Sequence, residues 1–149
     1  THFVLREILA GLQDMHQKGW MHRDIKAENI GVSDSCGSGA ITAGCVVKLL
    51  DFDTATTFTP GYHLNEVIGT VENMAPEVFA RSYDERADCW SLGIVTYEVL
   101  FGYRPFNDAS LDGVEELVRN WERYLSIPDE AGQGASAFVR GLLTESESR

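Results

Sequence analysis

The sequence predicts a mainly helical α+β fold with one short β-hairpin, and three patterns carry this prediction. The segment 86–100 is apolar nearly all round, which is typical of a buried helix. Two short apolar runs, 30–32 and 46–50, have the length of strands and are separated by a loop rich in Gly and Ser. Near the start of the chain, apolar residues recur at helical spacing: Leu5, Ile8, Leu9, Leu12 and Met15.

The composition indicates a soluble globular chain that is large enough for one domain. Of the 149 residues, 44% are hydrophobic and 23% are charged, which excludes a disordered chain. No apolar run approaches the length of a membrane span, and no secretory signal is evident. The formal net charge of −11 disfavours nucleic acid and anionic membranes as partners. It favours basic peptides as partners. The alternative is that the negative charge only keeps the protein soluble.

The cysteines and the start of the chain lead to two further expectations. Three cysteines without metal-ligand spacing predict reduced thiols and a cytoplasmic protein. The alternative is a bridge between Cys36 and Cys45 across the loop 33–44, which we interpret as an insertion. The chain begins inside a helical pattern and stops abruptly, so we expect it to be part of a larger domain.

The elements follow one another with recognisable ends. The first helix is expected to end at Gly19, because glycine adopts the left-handed conformation that closes helices. A polar stretch, residues 22–29 (the 22–29 loop), leads to the hairpin. A Thr-rich stretch, residues 54–73 (the 54–73 segment), precedes the buried helix, which Gly102 ends. Two amphipathic stretches follow, and their apolar residues are Val114, Leu117, Val118 and Trp121, then Ala135, Phe138, Val139, Leu142 and Leu143.

The 22–29 loop and the residue after the second strand carry the side chains that phosphoryl transfer requires. Asp24 can receive the proton of an attacking hydroxyl, and Lys26 can neutralise charge on the transferred phosphoryl group. Asn29 and Asp51 offer the amide and carboxylate oxygens that hold Mg²⁺. Because apolar elements flank the loop on both sides, we expect its side chains to be held rigidly.

The motifs of this region occur in the order that eukaryotic-type protein kinases share. HRDIKAEN at 22–29 matches the catalytic-loop pattern H-R-D-x-K-x-x-N, and DFD at 51–53 matches D-F-G with one departure. APE at 75–77 and DCWSLG at 88–93 follow. The sequence therefore resembles the large, C-terminal lobe of a protein kinase. The fold that this resemblance implies is mainly α-helical, with a short β-hairpin at the active site.

The resemblance implies a serine/threonine protein kinase that uses ATP and Mg²⁺. Asp24 would be the base, Lys26 would stabilise the γ-phosphoryl group and contact the nucleotide, and Asn29 and Asp51 would bind the metal. GTVENMAPE at 69–77 resembles the pattern of serine/threonine kinases, in which Thr70 hydrogen-bonds Asp24 and Lys26. Lys26 and Thr70 together indicate Ser or Thr substrates instead of Tyr.

The resemblance covers residues 1–149 but only most of the large lobe. The Gly-rich loop, the strand lysine that contacts the nucleotide phosphates and its partner glutamate belong to the small lobe and do not occur in these residues. The resemblance therefore implies a partial catalytic domain. Such a domain needs the N-lobe and is not an efficient kinase by itself.

Two departures from the family pattern motivate a rival interpretation, a pseudokinase that acts as a binding or scaffold module. Gly31 replaces the larger apolar residue that usually forms the floor under the adenine, which lowers the expected nucleotide affinity. Asp53 replaces the Gly of D-F-G, either as a tolerated variant with a stiffer loop or as a third metal ligand. Retention of all four residues with chemical roles argues against the pseudokinase.

Three glutamates match the substrate pocket of kinases that prefer basic substrates. In that resemblance, Glu28 in the 22–29 loop, Glu98 in the buried helix and Glu72 form a pocket for an arginine that precedes the target residue. We therefore expect a preference for Arg or Lys on the N-terminal side of the phosphorylated Ser or Thr. The alternative is that these glutamates are only structural.

Arg23 matches the arginine that many kinases neutralise with a phosphorylated threonine, and the matching position here is Glu66. We expect Arg23 and Glu66 to pair, because a buried cation without a partner is costly. The 54–73 segment would then order without phosphorylation at that position. The alternative is a solvated Glu66, with activating phosphorylation at Thr56, Thr57 or Thr59.

Two residues near the site are expected to be structural, and a third is expected at the surface. The resemblance implies that His22 packs beneath Phe52. It also implies that Asp88 holds the backbone of the 22–29 loop near His22 and Arg23, although Asp88 could be a plain N-cap of the buried helix. His16, near the end of the first helix, is expected to be a surface residue.

Overall fold

The computed structural model describes residues 2–33, 45–128 and 132–144, and within these ranges the fold is mainly helical with two small sheets. Among the described residues, none of the helices combines the length and the apolar composition of a membrane span. The strands are β1 Trp20–Met21, β2 Ile30–Val32, β3 Val47–Leu49 and β4 Thr56–Thr57, and 3-10 turns occur at Ala27–Asn29 and Val71–Asn73. The helices are α1 His2–Gln17, α2 Pro76–Phe79, α3 Arg86–Phe101, α4 Leu111–Arg119, α5 Trp121–Tyr124 and α6 Gly132–Leu142.

The 22–29 loop is anchored in two apolar clusters. Ile25, within the loop, is fully buried and packs with Ile8 and Leu12 of α1 and with Leu92 of α3. Met21, just before the loop, is also fully buried and belongs to the second cluster. Burying a large aliphatic side chain contributes about 1.5–3 kcal/mol. The loop therefore has little freedom to move, as its apolar flanks predict.

Two antiparallel sheets adjoin the loop. β2 pairs with β3 in the register Ile30↔Leu49 and Val32↔Val47, which is the predicted hairpin. β1 pairs with β4, and the sequence does not predict this sheet, because strands of two residues show no periodic pattern. The β1–β4 sheet ties the start of the 54–73 segment to the residues that precede the 22–29 loop.

α3 is the buried helix that the sequence predicts. Trp90 and Tyr97 are almost completely buried along its length. Gly102 ends it with a left-handed φ of 77°, and its amide donates to the carbonyl of Glu98. The end of α3 therefore fixes the direction in which residues 103–106 leave the helix.

One expectation needs correction, and another lies outside the described residues. The amphipathic stretch at 114–121 spans two helices, because Asn120, with φ −111° and ψ 31°, separates α4 from α5. Cys45 is disulfide-bonded, so the expectation of reduced thiols does not hold for it, whereas Cys89 forms no disulfide. Cys36 and most of the loop 33–44 lie outside the described residues.

Candidate active site

Asp88, in the first turn of α3, holds the backbone of the 22–29 loop. Its carboxylate accepts hydrogen bonds from the amides of His22 and Arg23, both at 2.8 Å, and its side chain is 1% exposed. Arg23 adopts a left-handed φ of 68°, which is uncommon for a residue with a β-carbon. The two charge-assisted hydrogen bonds offset this strain. Asp88 therefore acts on the loop and is not the N-cap of α3, which is Glu85.

His22 is structural, as the resemblance implies. The side chain is fully buried, with Nε2 3.1 Å from the carbonyl of Leu50 and Nδ1 3.3 Å from the amide of Asp24. Its ring contacts that of Phe52, with 5.2 Å between the centroids. Because the Asp24 amide can only donate, Nδ1 accepts and Nε2 carries the proton. Both ring nitrogens are therefore used, and neither is available as a base.

His16 has a role that the sequence does not reveal. Its Nε2 lies 2.8 Å from the carboxylate of Asp88, and only 16% of its side chain is exposed. His16 is therefore not the surface residue that its place near the helix end predicts. No local pattern could have indicated this contact, since 72 positions separate the two residues.

Asp24, Lys26 and Thr70 form one hydrogen-bonded group. Lys26 Nζ donates to Asp24 Oδ2 at 2.7 Å and to the Thr70 hydroxyl at 3.1 Å. Asp24 Oδ1 accepts from the Thr70 hydroxyl at 2.6 Å and from the Thr70 amide at 2.8 Å. The 22–29 loop and the end of the 54–73 segment are thus joined through a single carboxylate, and the three predicted residues lie together.

This group favours an ionised Asp24 and a protonated Lys26. Burial alone would raise the pKa of Asp24, but the hydrogen bonds from Lys26 and Thr70 outweigh it and lower that pKa below its ordinary value. The hydrogen bond to Asp24 raises the pKa of Lys26. At neutral pH the site therefore presents a carboxylate that can accept a hydrogen bond from a hydroxyl, beside a cation that can stabilise an anion.

Asn29 and Asp51 lie beside one another and suit a magnesium ion. The amide of Leu50 donates to the carbonyl of Asn29 at 2.8 Å, which brings the next residue, Asp51, close to Asn29. The Asn29 side-chain nitrogen donates to the carbonyl of Asp24 at 2.9 Å, which leaves Oδ1 as the oxygen that can bind a cation. Asp51 is exposed. Mg²⁺ takes few protein ligands and completes its shell with phosphate oxygens and water, so this donor set fits it.

The chain accommodates the Asp at position 53 without the backbone angles that require glycine. A positive φ of 59° occurs at Asp51, and Asp53 is not among the described non-glycine residues with positive φ. Its amide lies 3.3 Å from Asp51 Oδ1. In the described ranges no group of three or more His, Cys, Asp or Glu side chains could hold a metal ion. That search does not cover a set in which Asn29 is one of the ligands, so both interpretations of Asp53, a tolerated variant and a third metal ligand, stay predictions.

The Leu50 side chain covers the position where Gly31 lacks one. A β-carbon built at Gly31 would lie 3.0 Å from Leu50 Cδ1, which is closer than real β-carbon contacts normally come. An apolar group therefore lies over this part of β2 after all. It comes from the residue that follows β3 instead of from β2 itself.

Arg23 reaches the 54–73 segment. Its side chain is 9% exposed, and its Nη1 donates to Glu66 Oε2 at 2.9 Å. Its Nε donates to the carbonyl of Thr54 at 2.7 Å, a contact that the sequence does not indicate. Burial alone would lower the pKa of Arg23, but the neighbouring Glu66 and Tyr83 side chains together outweigh it and raise that pKa. The expected pair is present, and Glu66 is 62% exposed, so solvent screens part of the attraction.

The three glutamates of the expected substrate pocket are not equally open. Glu28 is exposed. Glu72 Oε1 lies 3.8 Å from Arg104 Nη1, and Glu98 Oε2 lies 3.5 Å from Arg104 Nε. An arginine of the chain itself, Arg104, therefore forms ion pairs with two of the three carboxylates. Sequence reasoning misses Arg104, because no motif marks it and the contact forms only where the chain turns after α3.

Comparisons with known proteins agree with this geometry. The family model described as "Protein kinase domain" matches residues 1–149. The chain is 35% identical over 144 residues to the serine/threonine-protein kinase AtPK1/AtPK6 of Arabidopsis thaliana, covering 96% of this chain and 28% of the relative. It is 37% identical over 154 residues to ribosomal protein S6 kinase alpha-4 of Homo sapiens, covering 95% of this chain and 19% of the relative.

A third relative comes from another plant, and all three are much longer than this chain. Calcium-dependent protein kinase 20 of Oryza sativa subsp. japonica is 32% identical over 148 residues, covering 98% of this chain and 26% of the relative. The chain thus spans less than a third of the length of these relatives. The family model covers the whole sequence, and the chain belongs to the protein kinase family.

Proposed function

We propose that this chain carries the catalytic loop of a serine/threonine protein kinase, which transfers the γ-phosphoryl group of ATP to Ser or Thr residues of proteins. The hydrogen-bonded group of Asp24, Lys26 and Thr70 is the observation that carries the proposal. It places a carboxylate, a cation and a hydroxyl within 2.6–3.1 Å of one another. Acceptance of a substrate hydroxyl next to a stabilised phosphoryl group requires such a set.

In this proposal, Asp24 accepts a hydrogen bond from the substrate hydroxyl and takes its proton as the hydroxyl oxygen bonds to the γ-phosphorus, while the bond from that phosphorus to the leaving ADP breaks. Lys26 balances the negative charge of the transferred group. Thr70 orients both side chains and joins them to the 54–73 segment. Because Asp88 and Ile25 hold the loop backbone, Asp24 does not have to be ordered at the moment of reaction.

Asn29 Oδ1 and Asp51 would hold Mg²⁺ in the proposed kinase. The bound ion neutralises phosphate charge and keeps the nucleotide in place. Leu50, lying over Gly31, would supply an apolar contact beneath the adenine. We propose that a small lobe with its own nucleotide contacts completes the site, and that the protein works in the cytoplasm, where ATP is abundant.

Phosphoryl transfer by the full-length protein tests this proposal. We expect transfer from ATP, in the presence of Mg²⁺, to peptides that contain Ser or Thr, and little transfer to the same peptide with Tyr at the target position. The measurement is the incorporation of labelled phosphate into three peptides that differ only at that residue. Nucleotide binding without transfer to any of them would contradict the proposal and would favour a binding or scaffold module.

We further propose that basic substrates are preferred. Glu28, Glu72 and Glu98 are carboxylates on the loop, on the 3-10 turn after Thr70 and on α3, and the net charge of −11 attracts cationic peptides generally. An arginine or lysine on the N-terminal side of the target residue would be drawn to them. Phosphate incorporation into pairs of peptides with and without this basic residue measures the preference.

Replacing Glu66 with alanine is expected to lower the kcat/KM of unphosphorylated full-length protein by about two- to fivefold. Arg23 would lose the only carboxylate seen to pair with it among the described residues but would keep the carbonyl of Thr54. The loss is moderate because the pair is partly exposed. Steady-state kinetics on protein treated with a phosphatase measures it.

The variant Glu66→Gln is the matched control. It keeps the size of the side chain and an acceptor oxygen but removes the charge, so we expect an intermediate loss. Equal activity of wild type and Glu66→Ala would contradict a role of this pair in ordering the segment. Activity that the phosphatase abolishes in the wild type would instead point to phosphorylation at Thr56, Thr57 or Thr59.

A further inference from the structure

Arg104 is a cation held against two acidic side chains from different parts of the chain. Its Nη1 lies 3.8 Å from Glu72 Oε1, and its Nε lies 3.5 Å from Glu98 Oε2. The exposed fractions of the three side chains are 27%, 33% and 36%, so the cluster is half-buried yet open to solvent on one side. The guanidinium therefore lies on carboxylates that a ligand can also reach.

The backbone on both sides of Arg104 is fixed. Tyr103 packs edge-on against Tyr97 of α3, with 5.5 Å between the ring centroids. Phe106 is 1% exposed and stacks on Trp90, with centroids 6.0 Å apart and planes 4° apart. Residue 104 thus follows Tyr103, a half-exposed side chain that packs on α3, and lies two positions before the buried Phe106. The path of the backbone between these two aromatic residues brings the Arg104 side chain to the glutamates.

The contacts of Arg104 are electrostatic and lack the geometry of hydrogen bonds. Separations of 3.5 and 3.8 Å exceed the 2.7–3.2 Å range of N–H···O hydrogen bonds. A bidentate arginine–carboxylate pair would be stronger and more specific. A guanidinium that approaches from outside can therefore form better hydrogen bonds to either carboxylate, provided that it displaces Arg104 or shares the site with it.

We propose that Arg104 is a specificity-determining residue, which competes with the cationic side chains of substrates for Glu72 and Glu98. This inference rests on the proposed function and deepens it. The two carboxylates alone would carry a charge of −2, and the guanidinium reduces it to −1. Glu28, which is exposed on the 22–29 loop, remains the carboxylate of the expected pocket without this competitor. The chain therefore weakens its own preference for basic substrates.

The test compares wild-type full-length protein with its Arg104→Ala variant on two peptides. The peptides are identical except for Arg or Ala shortly before the target Ser. The ratio of their kcat/KM values measures the preference for a basic residue. We expect this ratio to rise about three- to tenfold in Arg104→Ala, because two half-exposed ion pairs no longer compete with the substrate. The change should appear mainly in KM, since the reacting groups are untouched.

Three further variants separate this competition from other effects. Arg104→Lys keeps the charge and is expected to keep the ratio near that of the wild type. Arg6→Ala removes an exposed cation that pairs with Glu7 on α1, and it is expected to leave the ratio of the two kcat/KM values unchanged. The substitution Glu98→Gln in the Arg104→Ala background is expected to remove most of the increase in the kcat/KM ratio.

The outcomes distinguish this inference from the proposed function. If both peptides are phosphorylated but the ratio is unchanged in Arg104→Ala, the competition is refuted and the kinase proposal stands. If neither peptide is phosphorylated, the kinase proposal fails, and fluorescence anisotropy with the same labelled peptides decides the inference. Tighter binding of the Arg peptide to Arg104→Ala than to wild type would support the competition, and equal binding would refute it.

Discussion

Replacing Asp24 with asparagine is expected to lower the kcat of the full-length protein by about 10²- to 10⁴-fold. Asparagine has nearly the same shape and can still accept from Thr70, but it cannot take a proton from a hydroxyl. ATP binding should change little, because Asp24 Oδ1 and Oδ2 are directed to Thr70 and Lys26. Steady-state kinetics gives kcat, and titration with a fluorescent nucleotide gives the affinity.

The control for this variant is Asp14→Asn, which removes a carboxylate that is exposed on α1 and pairs with Lys18. We expect its kcat to equal that of the wild type within a factor of two or so. Asp24→Asn protein that phosphorylates the peptide as fast as the wild type would exclude Asp24 as the base. A loss of nucleotide binding as large as the loss of kcat would instead mean that the site has collapsed.

Replacing Asp88 with alanine is expected to lower the free energy of unfolding by about 2–5 kcal/mol. The substitution leaves the amides of His22 and Arg23 buried without an acceptor and removes the contact of His16. The left-handed conformation of Arg23 also loses the hydrogen bond that holds it. Urea denaturation of the full-length protein, followed by tryptophan fluorescence, measures the change.

Two companion variants make the Asp88 experiment selective. Asp88→Asn keeps one acceptor oxygen for the two amides, so we expect its free energy of unfolding to lie between that of the wild type and that of Asp88→Ala. Asp14→Ala, at an exposed carboxylate, is expected to cost no more than about 0.5 kcal/mol. A loss below about 1 kcal/mol in Asp88→Ala would show that water replaces the carboxylate at the amides, contrary to its burial.

The sequence predicts the parts of the fold whose signals are periodic or local. α1 follows from the helical spacing of its apolar residues, and α3 follows from a segment that is apolar nearly all round. The left-handed φ of Gly102 follows from the glycine itself. The hairpin of β2 and β3 follows from two short apolar runs. The β1–β4 sheet and the break at Asn120 have no such signal. Tertiary packing determines both, and a window along the sequence cannot detect it.

The candidate site divides in a similar way. The motifs predict that Asp24, Lys26 and Thr70 lie close together, and hydrogen bonds join the three side chains in the structure. Counting along the 54–73 segment also leads to the pair of Arg23 and Glu66. Neither the motifs nor counting along the sequence predicts the contacts of His16 and Arg104.

Their contacts depend on where helices end and which faces they present. A residue with an ordinary local environment can therefore acquire a specific partner only after the chain has folded.

The pairing of Arg23 with a glutamate has a consequence for how such a protein could be controlled. A phosphate can be added and removed in seconds to minutes, whereas a glutamate side chain is fixed when the protein is synthesised. On the proposal made here, no phosphatase could switch this position off, and the ordered state would last as long as the protein itself. Control would then have to act through abundance, degradation or access to substrate instead of through modification at position 66.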